Sequence, residues 1–491
     1  MPTNPAITIT AVQIRMYRMG TGDCFALKFM AGETVSFRLM IDCGTWQGSK
    51  AELAPYVKDL KTWVDGHLDL LVVTHEHKDH VYGFEACEAL FSEGLTIKET
   101  WLAWTENDAD PRVQTWMKDY GQKKRALAAA VQAVQNFLGD KDNEIALEFE
   151  ADRNGILTDR KVFAERLNAL ADIQFDAAAT YGGNLKGMKI VKQKLAAGNI
   201  KYKEPGQIIS DLSGLPGINI YILGPPLSWD AVKKEAGGLG ESYPHNNELT
   251  KSDAFASAVL ADTPTGIQQA LPFDLKYLIQ NNTSQWHAEQ RRYFNDETEW
   301  QNIDFEWLQS AGVLALRVNT MTNNLSLALA FESEATGKVL LFPGDAEYGS
   351  WLSWQMIKWQ KTGLTTENLL NRTVFYKVAH HMSHNGTAQR CGLEMMIDPA
   401  LSAMATLDYN IIAPGWKSTM PNATMTESLI QKTKGRLMIM NDKDLYMDRS
   451  KTNLVSDRIA KEQAKLSAKD LADFRTNCKS TELYLQMNLS L

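Results

Sequence analysis

Apolar and polar residues alternate with a period of two at the start of the chain. ITITAVQIRMYRM, CFALKFM and VSFRLMID, between residues 7 and 42, predict three successive strands. The pattern then changes. SKAELAPYVKDLKTWV carries its apolar residues three and four apart and predicts a helix. LDLLVVTH is a short continuous apolar run of the kind a buried strand shows, and VYGFEACEALF is helical again. Strand, loop and helix in alternation predict an α/β arrangement. Over 108–205 the pattern is helical and polar, clearest in TWMKDYGQKKRALAAAVQAVQNFL and DRKVFAERLNALADI. GINIYILGPP predicts a further buried strand stopped by Gly-Pro-Pro. Residues 227–311 hold no strong strand period and carry thirteen Asp/Glu against six Lys/Arg. Strand patterns return at GVLALRV, LSLALAFE, KVLLFPGD, VFYKVAHH, RLMIM and ELYLQMNLSL. The expected organisation is a first half of a core domain at 1–107, a helical insertion at 108–205 and a core strand at 206–226. An acidic insertion at 227–311 and the second half of the core with a C-terminal extension at 312–491 complete it.

Composition narrows the class. A chain of 491 residues has room for a large domain with insertions, and 44% hydrophobic with 22% charged residues is ordinary for a soluble globular protein. The net charge of −8 argues against a surface that coats nucleic acid non-specifically. Cys24, Cys43, Cys87, Cys391 and Cys478 are an odd, widely spread set with no CxxC, which argues against a disulfide framework or a thiolate zinc site. No apolar run is long enough to cross a bilayer, and the N-terminus lacks the layout of a signal peptide. The expected location is cytoplasmic, with no membrane partner.

The candidate chemistry sits at strand ends. THEHKDH (74–80) follows the run LDLLVV, and KVAHHMSHNG (377–386) follows TVFY. Together they hold six of the nine histidines, His75, His77, His80, His380, His381 and His384. Imidazole and carboxylate are the ligands that zinc and similar divalent ions take. Active groups of an α/β layer gather at the C-terminal ends of its strands, so clusters far apart in sequence meet at one edge. FPGD adds a third strand-end acid, Asp345.

THEHKDH resembles the signature of the metallo-β-lactamase superfamily of metal-dependent hydrolases. The order of MGTGDC (19–24), IDCG, NNLSLAL, FPGDAE and KVAHHMS is similar to the branch that contains the hydrolase domain of DNA-uptake competence proteins. The resemblance implies a four-layer αββα sandwich, with a helical and an acidic insertion, and two divalent cations, Zn²⁺ or Mn²⁺. By position, His75 and His77 would hold one cation. Asp79, His80 and one histidine of the 380–381 pair, His380 preferred, would hold the other, with Asp345 bridging. Asp42 would orient a ligand. The third histidine that many members place before the Gly-Asp motif is missing, and Asn323, Asn324 or Ser326 stands in that stretch; His245 and His287 are the other histidines considered for the role. HHGS becomes HHMS, which puts Met382 beside the pair and keeps Ser383 as a donor.

The activity implied is hydrolysis by a water that the cations acidify toward neutrality. Asp79 would orient the nucleophile, and His381 or His384 would stabilise the oxyanion or protonate the leaving group. A phosphodiesterase or nuclease is the favoured reading. For it, Gly20 and Gly22 would form an anion cradle, and Lys186, Lys189 and Lys192, three apart on one helix face, would track a phosphate backbone. Trp101, Trp104, Trp351, Trp354 and Trp359 are candidate stacking platforms for bases. One competing reading is a hydrolase of small esters, thioesters or lactones. Another is a partner-dependent effector or scaffold subunit, such as part of an anti-invader system, that docks through 227–311.

Overall fold

The computed structural model describes residues 8–139, 167–168, 170–176, 184–196, 198–238, 240–243, 283–293, 306–412, 420–447 and 451–491. Its strands in chain order are β1 (Ala11–Tyr17), β2 (Phe25–Ala31), β3 (Thr34–Ile41), β4 (His67–Leu68), β5 (Leu70–Val73), β6 (Thr96–Ile97), β7 (Thr100–Ala103), β8 (Ile200–Lys203) and β9 (Ile208–Ile209). They continue as β10 (Ile218–Ile222), β11 (Leu329–Ser333), β12 (Val339–Phe342), β13 (Thr373–Lys377), β14 (Ser402–Asp408), β15 (Leu437–Asn441), β16 (Cys478–Ser480) and β17 (Tyr484–Ser490).

Two large mixed sheets result. The first runs β16-β17-β1-β2-β3-β5-β7-β8 and the second β15-β14-β13-β12-β11-β10-β9. In each sheet an antiparallel half gives way to a parallel half, β3-β5-β7-β8 in the first and β12-β13-β14-β15 in the second. Three apolar cores fix the layering. One joins the two sheets, with Phe25 edge-on to Phe342 and Phe29 against Phe331. A second lies between the first sheet and the helices Lys50–Trp63, Lys78–Ala86, Glu88–Ser92 and Lys186–Ile190. The third lies between the second sheet and the helices Tyr348–Trp354, Thr366–Asn371, Ala423–Lys432 and Val455–Gln463. The part of the chain that holds both sheets is thus mixed α/β, with its sheets inside and these helices outside, because strands buried on both faces carry apolar residues on both.

The chain divides into two compact units. Met1–Trp116, Gly182–Asn246 and Asn319–Leu491 form the first, which holds both sheets. Met117–Tyr181 and Asn247–Val318 form the second, whose described residues are mostly helical. Much of DRKVFAERLNALADI and of the acidic stretch 227–311, with its proposed docking surface and His245, lies outside the described residues. Among the described residues no helix is long and apolar enough to cross a membrane.

Several expectations change. GVLALRV is part of the helix Glu306–Asn324, not a strand. A short apolar run has no period to separate the two states, and here Ala311, Leu314, Ala315 and Val318 are all buried on helical backbone. Within the expected helical insertion, Ile200–Lys203 instead pairs in parallel with β7 and extends the first sheet. β14, with the unremarkable sequence SAMATLD, is buried at every position between β13 and β15. The tryptophans named as stacking platforms are core residues: Trp101, Trp104, Trp351, Trp354 and Trp359 are all buried.

Candidate metal centre

The two parallel halves end in the same place. β3 ends at Asp42, β5 at Thr74–His80, β12 at Pro343–Asp345, β13 at Val378–His381 and β14 at Thr406–Asp408. THEHKDH changes state midway. His75 and His77 lie on extended chain, whereas Lys78–Ala86 is a helix with Asp79 and His80 in its first turn. A carboxylate there is favoured by the unpaired N–H groups of the helix start. Asp42, in the left-handed region at φ 56, accepts from the Thr74 N–H at 2.7 Å, from Thr74 Oγ1 at 2.6 Å and from His80 Nδ1 at 2.8 Å. That bond leaves His80 Nε2 as the inward nitrogen.

The second histidine pair sits on a strained turn. His380, His381 and Met382 all have left-handed φ, at 46°, 48° and 68°. Such conformations cost on the order of 1 kcal/mol each for residues with a Cβ, and they turn the two rings apart. His381 Nε2 stands 3.1 Å from both Asp79 Oδ2 and Asp345 Oδ2, and His80 Nε2 is also 3.1 Å from Asp345 Oδ2. His380 turns away from these atoms. Its Nε2 is 3.3 Å from Asn323 Nδ2 and its Nδ1 is 2.7 Å from Ser383 Oγ. His381, rather than the preferred His380, therefore joins Asp79, His80 and Asp345.

His381 Nε2 and Asp79 Oδ2 are within hydrogen-bond distance of each other, but other atoms of the group are left without a partner. Asp79 Oδ1, His80 Nε2 and Asp345 Oδ2 are all buried without a hydrogen-bond partner. Buried polar atoms are nearly always paired, so several orphans converging on one point mark a place for an ion. Separations of 3.1 Å suit atoms that share a cation at ligand distances of about 2.0–2.2 Å. Asp23, His80, Asp345 and His381 form a buried group that can hold a metal ion. Within it, Asp23 lies on the far side of the rings, 3.8 Å from His80 Nδ1 and 3.9 Å from His381 Nδ1. Its oxygens are taken by Lys377 and Thr406, so Asp79 is better placed on the Nε2 side.

His75 and His77 lie beside this group. His75 Nε2 is 3.0 Å from His77 Nδ1, and the His75 and His80 rings are 4.1 Å apart. Ser326 Oγ is 3.2 Å from His75 Nδ1 and accepts from the Asp345 N–H, so it supports both segments. Asn324 is a structural residue that bonds the carbonyls of Val232 and Lys234 and receives the N–H groups of Glu347 and Ser350. Asn323 donates to Glu347 Oε1 at 2.7 Å. His384 is half-buried on the loop after the pair, and His287 lies on the helix Ser284–Tyr293 of the second unit. Met382 is buried in the core between the second sheet and its helices.

The expected phosphate contacts are otherwise engaged. A Cβ on Gly22 would lie 2.6 Å from the Gly44 carbonyl oxygen, and one on Gly44 2.2 Å from the Asp79 carbonyl carbon. The Asp23 N–H bonds the Asp79 carbonyl at 2.9 Å. Gly20, whose Cβ would meet Thr45, and Gly22 thus let the turn press against Asp79, which is a packing role. Lys186 pairs with Glu85 and Lys192 with Glu106, and the helix carrying Lys189 packs between them against Lys78–Ala86. Lys192 and Lys194 fall on a wider π-type turn, Val191–Leu195, which breaks the spacing of three. Lys186, Lys192 and Lys194 pair with the neighbouring acids Glu85, Glu106 and Glu88.

Asp23, Thr74, Glu347, Lys377 and Thr406 were not expected in the site. Asp23 had a signal, an acid directly after Gly-x-Gly and before a buried strand. Lys377 had one too, as a charge inside an apolar run, since a lysine is almost never buried without a partner. Comparison of the sequence with family models and with curated proteins gives no match.

Electrostatics describe the cluster without an ion. Burial alone would lower both inward histidines. Asp345 and its neighbouring carboxylates outweigh it, raising His381 to about 9 and His80 well above its usual value. Burial opposes ionisation of Asp79, but His381 and His80 bring it to about 2. Lys377, His381 and His80 hold Asp345 well below the usual carboxylate range against the same burial. His75 and His380, where burial wins, fall below their usual value, His380 to about 4. Two protons on His80 and His381 thus sit where a cation would sit. Because the folded values are raised, this stabilisation is complete below pH 6.5 and is lost as pH rises through about 9. Binding of Mn²⁺ must release those protons. Calorimetry in buffers of different ionisation enthalpy is expected to show up to two protons released per ion at neutral pH, with affinity rising as pH rises. Uptake of protons, or none exchanged, would contradict the arrangement.

Proposed function

We propose that the chain is a metal-dependent hydrolase of the metallo-β-lactamase class. The observation that carries this reading is the convergence of His80 Nε2, His381 Nε2, Asp345 Oδ2 and Asp79 on one buried point without hydrogen bonds among the first three. The layering of helices around two sheets, and a site at the C-terminal strand ends, support it. So does the order of the motifs along the chain.

A divalent cation bound there supplies Lewis acidity and lowers the pKa of a water. The protein supplies the rest. Asp42 and Thr406 take the Nδ1 hydrogens of His80 and His381 and aim the opposite nitrogens inward. Asp79 Oδ1, buried and without a hydrogen bond, is the acceptor for a proton of the attacking water. Phosphodiester is the substrate class that the motif order favours. The glycines and lysines first read as phosphate contacts do not contribute to that choice.

The test is hydrolysis by protein loaded with Mn²⁺ or Zn²⁺. Substrates are single-stranded DNA, duplex DNA, RNA, bis-p-nitrophenyl phosphate and p-nitrophenyl esters, with Asp79→Ala alongside. Turnover by the wild type and at least about a 10³-fold loss in the variant is expected, as for removal of a group that acts in the transition state. Equal turnover by both proteins rejects the site. Cleavage of esters alone moves the substrate class away from phosphodiesters.

A further inference from the structure

We propose that Lys377 is the positioning residue of the cation site. Its ammonium binds one oxygen of Asp23 and one of Asp345, and so leaves Asp345 a single oxygen, Oδ2, for the cation. This rests on reading the cluster as a cation site.

Lys377 ends β13 and is only 1% exposed. An ammonium has three donors, and all three are used in the interior. Nζ donates to the Gly344 carbonyl at 2.8 Å, to Asp345 Oδ1 at 2.9 Å and to Asp23 Oδ2 at 2.5 Å. The side chain thereby ties the Gly-x-Gly-Asp turn and the Pro-Gly-Asp turn to the strand that leads into the histidine pair. The two oxygens of Asp345 become unequal. Oδ1 accepts from Lys377 and from the His380 N–H at 3.1 Å, whereas Oδ2 has no hydrogen bond and faces His80 and His381.

A second consequence runs through Asp23. Its Oδ1 accepts from Thr406 Oγ1 at 2.7 Å. Having given its hydrogen to Asp23, Thr406 Oγ1 accepts from His381 Nδ1 at 2.8 Å, and the Thr406 carbonyl at 3.2 Å accepts from the same N–H. The direction of donation therefore runs from His381 through Thr406 to Asp23, and from Lys377 to Asp23 on the other side. It keeps the Nδ1 hydrogen on the Thr406 side, so that Nε2 is the nitrogen His381 offers to a cation once its own proton is displaced. Charge points the same way. Asp23, Asp42, Asp79 and Asp345 are four neighbouring acids, and Lys377 faces two of them. It fills the gap between Asp23 and Asp345, which would otherwise draw a cation away from Oδ2.

The experiment is Mn²⁺ titration of the wild type, Lys377→Met and Lys377→Ala by calorimetry, with folding checked by circular dichroism. The expected result is wild-type binding, a loss of about 10–100-fold in affinity in Lys377→Met, and recovery of Lys377→Ala by ethylammonium but not by 1-propanol. Wild-type affinity in Lys377→Met, or no recovery with ethylammonium, overturns the role of Lys377 while leaving the cation site standing. Absence of Mn²⁺ binding by the wild type overturns the site and the proposal together. Should the lysine variants fail to fold, Asp23→Asn carries the test, because it breaks the same bridge and leaves the lysine. An affinity at least about tenfold weaker is expected there, and an unchanged one overturns the proposal.

Discussion

His381→Ala is expected to remove tight Mn²⁺ binding and to lower hydrolysis by at least about 10³-fold, while His380→Ala retains the ion within about tenfold. The two residues are adjacent, and the sequence around them does not rank them. The turn does. Three successive left-handed residues, His380, His381 and Met382, rotate one ring toward Asp79 and Asp345 and the other toward Asn323 and Ser383. Removing His381 deletes a nitrogen 3.1 Å from two carboxylates and leaves Asp79 and Asp345 facing each other without their shared partner. Removing His380 deletes hydrogen bonds behind the site. Metal titration and initial rates on both variants check this. A reversed order, with His380→Ala the more damaging, would show that the turn places the pair the other way round.

Trp351→Ala is expected to be the most destabilising single change near the site, by about 4 kcal/mol, with weakened Mn²⁺ binding in whatever protein remains folded. Trp351 is fully buried, packs on Trp354 with ring centroids 4.4 Å apart, and stands edge-on to Tyr376. Its Nε1–H donates to the Ala346 carbonyl at 3.2 Å and to the Gly386 carbonyl at 2.9 Å. Those carbonyls belong to the loops that carry Asp345 and His381. The ring thus joins the core of the second sheet to two ligand-bearing segments. Trp351→Phe separates the two effects. It keeps most of the apolar area and loses the donor, for an expected cost of about 1–2 kcal/mol. Denaturant melts give the stabilities. If Trp351→Phe matches the wild type in both stability and Mn²⁺ affinity, the bridge between the loops has no energetic role.

The sequence by itself determined the strand-ending positions of Asp42, THEHKDH, Asp345 and the His380–His381 pair. Each follows an apolar run, and period and burial are local properties. It also determined the α/β alternation of the first hundred residues and the terminal strand, for the same reason. It could not separate helix from strand in GVLALRV, whose seven residues carry no period, nor recognise β14, whose pattern makes sense only between two other strands. Only the tertiary structure decided which atoms converge. Choosing His381 over His380 depends on backbone dihedrals set by packing around the turn. The pairing of Lys186 and Lys192 depends on Glu85 and Glu106, which approach from other segments. Whether Gly20 and Gly22 hold an anion or admit a neighbouring chain depends on how closely Thr45 and Asp79 come. Asp23 and Lys377 lie hundreds of residues apart, yet they meet as a buried pair because β13 and the Gly-x-Gly-Asp turn end at the same edge of two facing sheets. A one-dimensional pattern records which residues are apolar and how they are spaced. It does not record partners, and in this site the partners decide the role of each charge.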